Sequence, residues 1–139
     1  MDILTPKTHK DKVPLVEGIR AGFPSPAEDY VEPTLDLNRY VIKNPASTFY
    51  ARITGDSMVG DDIHDGDIVV IDKSLEPGDG NIAVCFIDGE FTLKRIKVEK
   101  ERLLLMPANP KFKPIEITEE NHFVVWGIVT YIIKELKGT

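Results

Sequence analysis

Several things are scarce in this sequence, and each scarcity excludes something. Its 139 residues include one cysteine, Cys85. No disulfide can form within the chain, so a reducing cytoplasm is the expected compartment. No apolar stretch approaches the roughly 20 residues of a membrane span, so no membrane partner is expected. The opening MDILTPKTHKDKVP lacks the apolar core of a secretory leader, and none is expected. Positive charge is outweighed: the formal net charge is −6. An acidic surface repels phosphate backbones, which argues against direct DNA binding. There is no internal repeat and no low-complexity tract. What remains is ordinary for a soluble globular chain, with 42% hydrophobic and 29% charged residues. The length suits one domain and can bury a core without staples.

Along the chain, residues 1–30 show no sustained period. Pro6, Pro14, Pro24 and Pro26 push the residues before them away from helix. This stretch reads as an extended arm, and residues 31–139 as a β-rich domain. Leu15, Val16 and Ile19 have helical spacing, but Gly18 and the prolines leave room for one turn at most. The run EPTLDLNRY, from Glu32 to Tyr40, reads either as a short extended piece or as one helical turn. Strands are predicted over Thr48–Thr54, Ile68–Ile71 and Arg102–Met106. Asn81–Ile87 and Glu90–Val98 flank Asp88-Gly89, the signature of a tight hairpin whose two central residues take positive φ. His122–Leu136 is apolar on both alternating faces and interrupted by Gly127. Such a strand needs cover on both sides, from the core and from a second subunit, which suggests a homodimer. Cys85 alternates with Ala83 and Ile87 and reads as a small core residue. Trp126 and Tyr131 read as core or interface.

Few residues offer chemistry. The histidines, His9, His64 and His122, all lie away from Ser57 in sequence, and no G-x-S-x-G elbow is present. The acidic turn Asp61–Asp67 fails as a calcium loop, because Ile63 occupies its third position. No metal and no cofactor is expected. Ser57 stands out because it follows Gly55-Asp56 directly after a predicted strand. Backbone N–H groups are free at such a corner, as an oxyanion hole requires. The same three residues also fit a plain polar turn. Lys94 offers a base, since a neutral amine can take a proton from a serine hydroxyl once burial disfavours the ammonium. By period two, Thr92, Lys94, Ile96 and Val98 share a face, with Phe91, Leu93, Arg95 and Lys97 opposite. Each face mixes apolar and basic residues, so the pattern allows a half-buried Lys94 without demanding it, and on pattern alone an exposed strand lysine is the better reading.

Three segments in order carry a resemblance: Gly55-Asp56-Ser57-Met58, then Asp65-Gly66-Asp67, then Asp88 to Arg95, reading DGEFTLKR. Together they resemble the LexA/UmuD family of self-cleaving S24 serine peptidases. The arm, with Gly22-Phe23-Pro24-Ser25-Pro26-Ala27 and Asp29 to Glu32, is similar to the UmuD-like members. The resemblance runs from about residue 20 to residue 136. It implies a mainly β, LexA/signal-peptidase-like twisted sheet domain with an extended N-terminal arm. Ser57 would be the nucleophile, Lys94 the general base, and the Ser57 N–H part of the oxyanion hole. Ala21–Gly22 would be the scissile bond. Release of residues 1–21, with four basic and three acidic side chains, would move the net charge from −6 to −7. Charge is therefore no switch, and uncovering a surface is. The resemblance further implies stimulation by a RecA filament on single-stranded DNA. It also implies a truncated homodimer acting with a UmuC-like Y-family polymerase subunit in translesion synthesis.

Three other readings compete. A self-cleaving repressor needs a DNA-binding domain, for which the 21 residues ahead of the cut are too few. A signal peptidase relative shares the serine and lysine but needs a membrane anchor. A non-catalytic binding module of the same fold would keep its biological function with Ser57→Ala.

Overall fold

A computed structural model describes residues 13–16 and 34–137. The chain divides into two compact units, residues 1–43 and 44–139; composition had suggested a division after residue 30. In the first unit, β1 (Val13–Pro14) pairs antiparallel with β2 (Thr34–Leu35). A single helical turn follows, α1 (Leu37–Val41), capped by Asp36, whose carboxylate accepts from Arg39 N at 3.3 Å. The run EPTLDLNRY thus holds both an extended pair and a helical turn.

The second unit is one antiparallel sheet of seven strands. They are β3 (Thr48–Arg52), β4 (Ile68–Asp72), β5 (Ile82–Ile87), β6 (Glu90–Glu99), β7 (Arg102–Met106), β8 (Ile115–Ile117) and β9 (Phe123–Ile133). Their order is β3-β4-β9-β5-β6-β7-β8. The mainly β class expected from the sequence is therefore what the structure shows. Val69, Val70 and Ile71 in β4 are all essentially inaccessible, as an uninterrupted apolar run requires when both faces are covered. At the β5–β6 turn Asp88 has φ 47° and Gly89 φ 88°, the paired positive values of a tight hairpin.

β9 joins the two halves of the sheet. Its first half pairs with β5 and its second with β4. It runs unbroken through Gly127, where the sequence suggested an interruption. The glycine serves close packing instead, because a Cβ there would collide with Ile71 Cγ2. The irregularity falls on its neighbour, Trp126, which bulges between Val125 and Gly127.

Two apolar clusters pack against the sheet. Ala83, Cys85, Ile96, Leu105 and Ile128 form one, and Met58, Ile63, Val69 and Ile71 the other. Met58 and Ile63 come from the connection between β3 and β4. Their burial, 3% and 0% exposed, fixes that connection to the sheet and with it the residue before Met58.

Candidate active site

That residue is Ser57. The chain leaves β3, turns at Gly55 with φ +98°, and enters a short 3-10 turn, Val59–Asp61. Positive φ at Gly55 suits glycine because a Cβ would be strained there. Gly55 N donates to Asp65 Oδ1 at 2.9 Å, which closes the base of the connection. The other carboxylates of the acidic turn are also engaged. Asp61 pairs with Arg95 at 2.9 Å and Asp62 with His64 at 3.0 Å. Asp67 accepts from Lys134 Nζ and from His64 N. These bonds hold Asp67 below the usual carboxylate range, the one from Lys134 most strongly.

Lys94 approaches from β6, 37 residues away in sequence. Its Nζ lies 3.1 Å from Ser57 Oγ, 2.8 Å from Thr92 Oγ1 and 3.1 Å from Leu93 O. Pattern alone favoured an exposed lysine; the structure instead buries it, with Lys94 only 8% exposed. Directly across the β5–β6 ladder stands Ala83, and the next pair is Cys85 with Thr92. Lys94 therefore shares a face with the first apolar cluster. Burial pushes its pKa below the ordinary 10.5, and a weaker interaction with Cys85 acts the other way. Among the described residues no carboxylate forms an ion pair with it. The Cys85 thiol, wholly buried, is pushed up to about 11, so it stays an inert core group.

The three partners of Nζ define what it can do. An ammonium has three N–H donors, one for each partner. A neutral amine has two N–H donors and a lone pair. Leu93 O can only accept, and Thr92 Oγ1 accepts as well, so these two retain the N–H bonds. The lone pair then faces Ser57 Oγ and can accept its proton. Ser57 opens onto a cleft of about 300 Å³, walled by residues 51–55 on one side and 91–93 on the other. Among the described residues β3 is a terminal strand of the sheet, and the outer edge of such a strand is where an extended peptide can add.

The structure thus brings together Ser57 and Lys94, two residues proposed from sequence. Ala21 and Gly22 lie outside the described residues. Two partners of the site escaped the sequence reading. Thr92 carried a signal, a hydroxyl two residues before the lysine on the same strand face. Asn109 carried none, since its contact with the Ser57 turn spans 53 residues.

Comparison with known proteins places the chain in a family. The family model described as Peptidase S24-like matches residues 14–130. Protein SamA of Salmonella typhimurium is 46% identical over 119 residues, covering 86% of this chain and 82% of that protein. Protein MucA of Escherichia coli is 41% identical over 121 residues, with 86% and 82% covered. The LexA repressor of Anaeromyxobacter dehalogenans is 32% identical over 133 residues, spanning 94% of this chain and 58% of the repressor. A match over this much of the chain decides the point, and the chain belongs to the S24-like peptidase family.

Proposed function

We propose that this chain is a self-cleaving serine peptidase that cuts its own Ala21–Gly22 bond with a Ser57/Lys94 dyad. The observation that carries the reading is the 3.1 Å approach of a buried lysine amine to a serine hydroxyl in an open cleft. Neutral Lys94 accepts the Ser57 proton as Oγ bonds to the Ala21 carbonyl carbon, and the carbonyl π pair moves onto oxygen. Lys94 then gives that proton to the Gly22 nitrogen as the C–N bond breaks, leaving Ala21 esterified to Ser57. Water gives a proton to Lys94 as its oxygen bonds to the ester carbon; as the C–Oγ bond breaks, Lys94 returns that proton to Ser57 Oγ, and residues 1–21 leave with a free carboxylate. A glycine after the cut allows the backbone to come close to the nucleophile.

The biological reading extends the UmuD-like resemblance, and the likeness to SamA and MucA supports it. In this reading the protein serves SOS mutagenesis in the cytoplasm. A RecA filament on single-stranded DNA favours the cleavage-competent state, a population shift. The shortened chain dimerises and works with a UmuC-like Y-family polymerase subunit in translesion synthesis.

The pH–rate profile tests the role of Lys94. A base whose pKa is depressed by burial becomes neutral, hence active, as pH rises through a value below 10.5. The cut should accelerate with pH to a plateau, with its midpoint below 10.5. A rate that does not rise with pH anywhere below 10.5 would remove Lys94 from the role of base. RecA, ATP and single-stranded DNA should raise the rate at neutral pH and leave the cut position unchanged.

A further inference from the structure

The loop after β7 reaches back to the Ser57 turn. Ala108 N donates to Ser57 O at 2.8 Å, and Gly60 N donates to Ala108 O. Asn109, only 7% exposed, donates from Nδ2 to Asp56 O at 2.8 Å. That oxygen also accepts from Val59 N, at the longer distance of 3.3 Å. Two peptide planes are therefore gripped by their carbonyls, one on each side of the Ser57 Cα.

Among the described residues no peptide bond is cis. In a trans peptide the C=O and the N–H of one plane point in opposite directions. Asp56 O and Ser57 N–H share one plane, and Ser57 O and Met58 N–H share the next. Both carbonyls face the 107–109 loop. Both N–H groups therefore face away from that loop, and both residues, Ser57 and Met58, line the cleft. Neither N–H donates to an acceptor among the described residues.

We infer that Asn109 is a positioning residue for the oxyanion hole: by holding Asp56 O it aims the Ser57 N–H at the oxygen of the bond being cut. Ala108 N sets the Met58 N–H in the same way. The inference rests on the peptidase reading above. When Oγ bonds to the carbonyl carbon and the π pair moves to oxygen, these two N–H groups meet the negative charge. A hydrogen bond at the carbonyl also polarises the N–H at the other end of the same amide.

Asn109 has a second task that must be separated from this one. Its Oδ1 accepts from Lys111 N at 3.0 Å and shapes the loop. Asn109→Asp keeps that acceptor and the side-chain volume but loses the Nδ2 donor. Asn109→Ala loses both. The test uses the full chain with two readouts. One is the plateau rate of self-cleavage at high pH, where Lys94 is neutral and a new carboxylate cannot change its charge. The other is labelling of Ser57 by a fluorophosphonate, whose phosphoryl oxygen needs the same N–H groups but not the arm. Both variants should lose about 10²-fold in both rates, the scale of one oxyanion donor. Asn109→Asp sets a carboxylate oxygen against Asp56 O in a buried position and should lower the thermal midpoint, so both rates are read well below it. Asn109→Ser, too short to reach Asp56 O, should show the same loss if Asn109→Asp does not fold. A wild-type rate for Asn109→Asp, with only Asn109→Ala slowed, would reduce Asn109 to a loop builder and overturn the inference alone. A wild type that neither cuts nor labels would overturn the peptidase reading and this inference with it.

Discussion

The β5–β6 hairpin and the Ser57 turn meet at one site but are built in opposite ways. The hairpin is local: Asp88 and Gly89 turn the chain, and five successive residue pairs carry Lys94 back alongside Ala83. The turn is held from a distance. Asp65, Ala108 and Asn109 supply its hydrogen bonds, and Met58 anchors it in the second apolar cluster. The base thus sits on an element closed by its own turn, while the nucleophile sits on one held by residues from distant parts of the chain. Changes to the hairpin should then alter the base alone, and changes around the turn should alter the nucleophile and the fold together.

The largest expected effect comes from Lys94→Met, which should abolish the cut. It should also stabilise the protein at pH 7. A lysine whose folded pKa lies below 10.5 costs stability while it is charged in the fold. For the wild type, stability should rise with pH from the folded value up to 10.5. The advantage of Lys94→Met in urea midpoints should shrink over that interval, and an advantage constant with pH would contradict the assignment. Gly60→Ala should come next. Its Cβ would collide with the Ala108 carbonyl, which has no room to yield while it accepts from Gly60 N. Overpacking of this kind costs roughly 1–3 kcal/mol, and denaturation together with the cleavage rate should show both effects. Thr92→Val removes one acceptor from Lys94 and should slow the plateau rate about tenfold, the equivalent of one modest hydrogen bond, with little change in thermal midpoint. Lys97→Ala breaks only the exposed contact with Glu99 and should change neither rate nor stability measurably.

The same contrast explains what could be read from sequence. Asp88-Gly89 announced its hairpin because the turn chemistry is carried by two adjacent residues. β4 was evident from four apolar residues between turn signals, and Cys85 from its alternation with Ala83 and Ile87. β8 was not foreseen, since three residues with only Ile115 and Ile117 apolar give too short a pattern. Gly127 suggested an interruption where its lack of a side chain instead lets β9 pass Ile71. Pattern favoured an exposed Lys94 because both faces of β6 mix charge with apolar residues, and only the packed sheet shows its burial. Ser57 and Lys94 were joined only through the family resemblance. The spacing of 37 residues says nothing by itself, because their contact depends on β6 lying beside the β3–β4 connection. Asn109 was invisible for the same reason.

The central claim is that Ser57 and Lys94 cut the chain that carries them. It is tested most directly by the intact mass of the purified full chain after incubation at about pH 10, beside Ser57→Ala and Lys94→Ala. The account predicts one new species in the wild type, beginning at Gly22, and none in either variant. A wild type that stays whole, also with RecA, ATP and single-stranded DNA, or a cut that persists in Ser57→Ala, would contradict it.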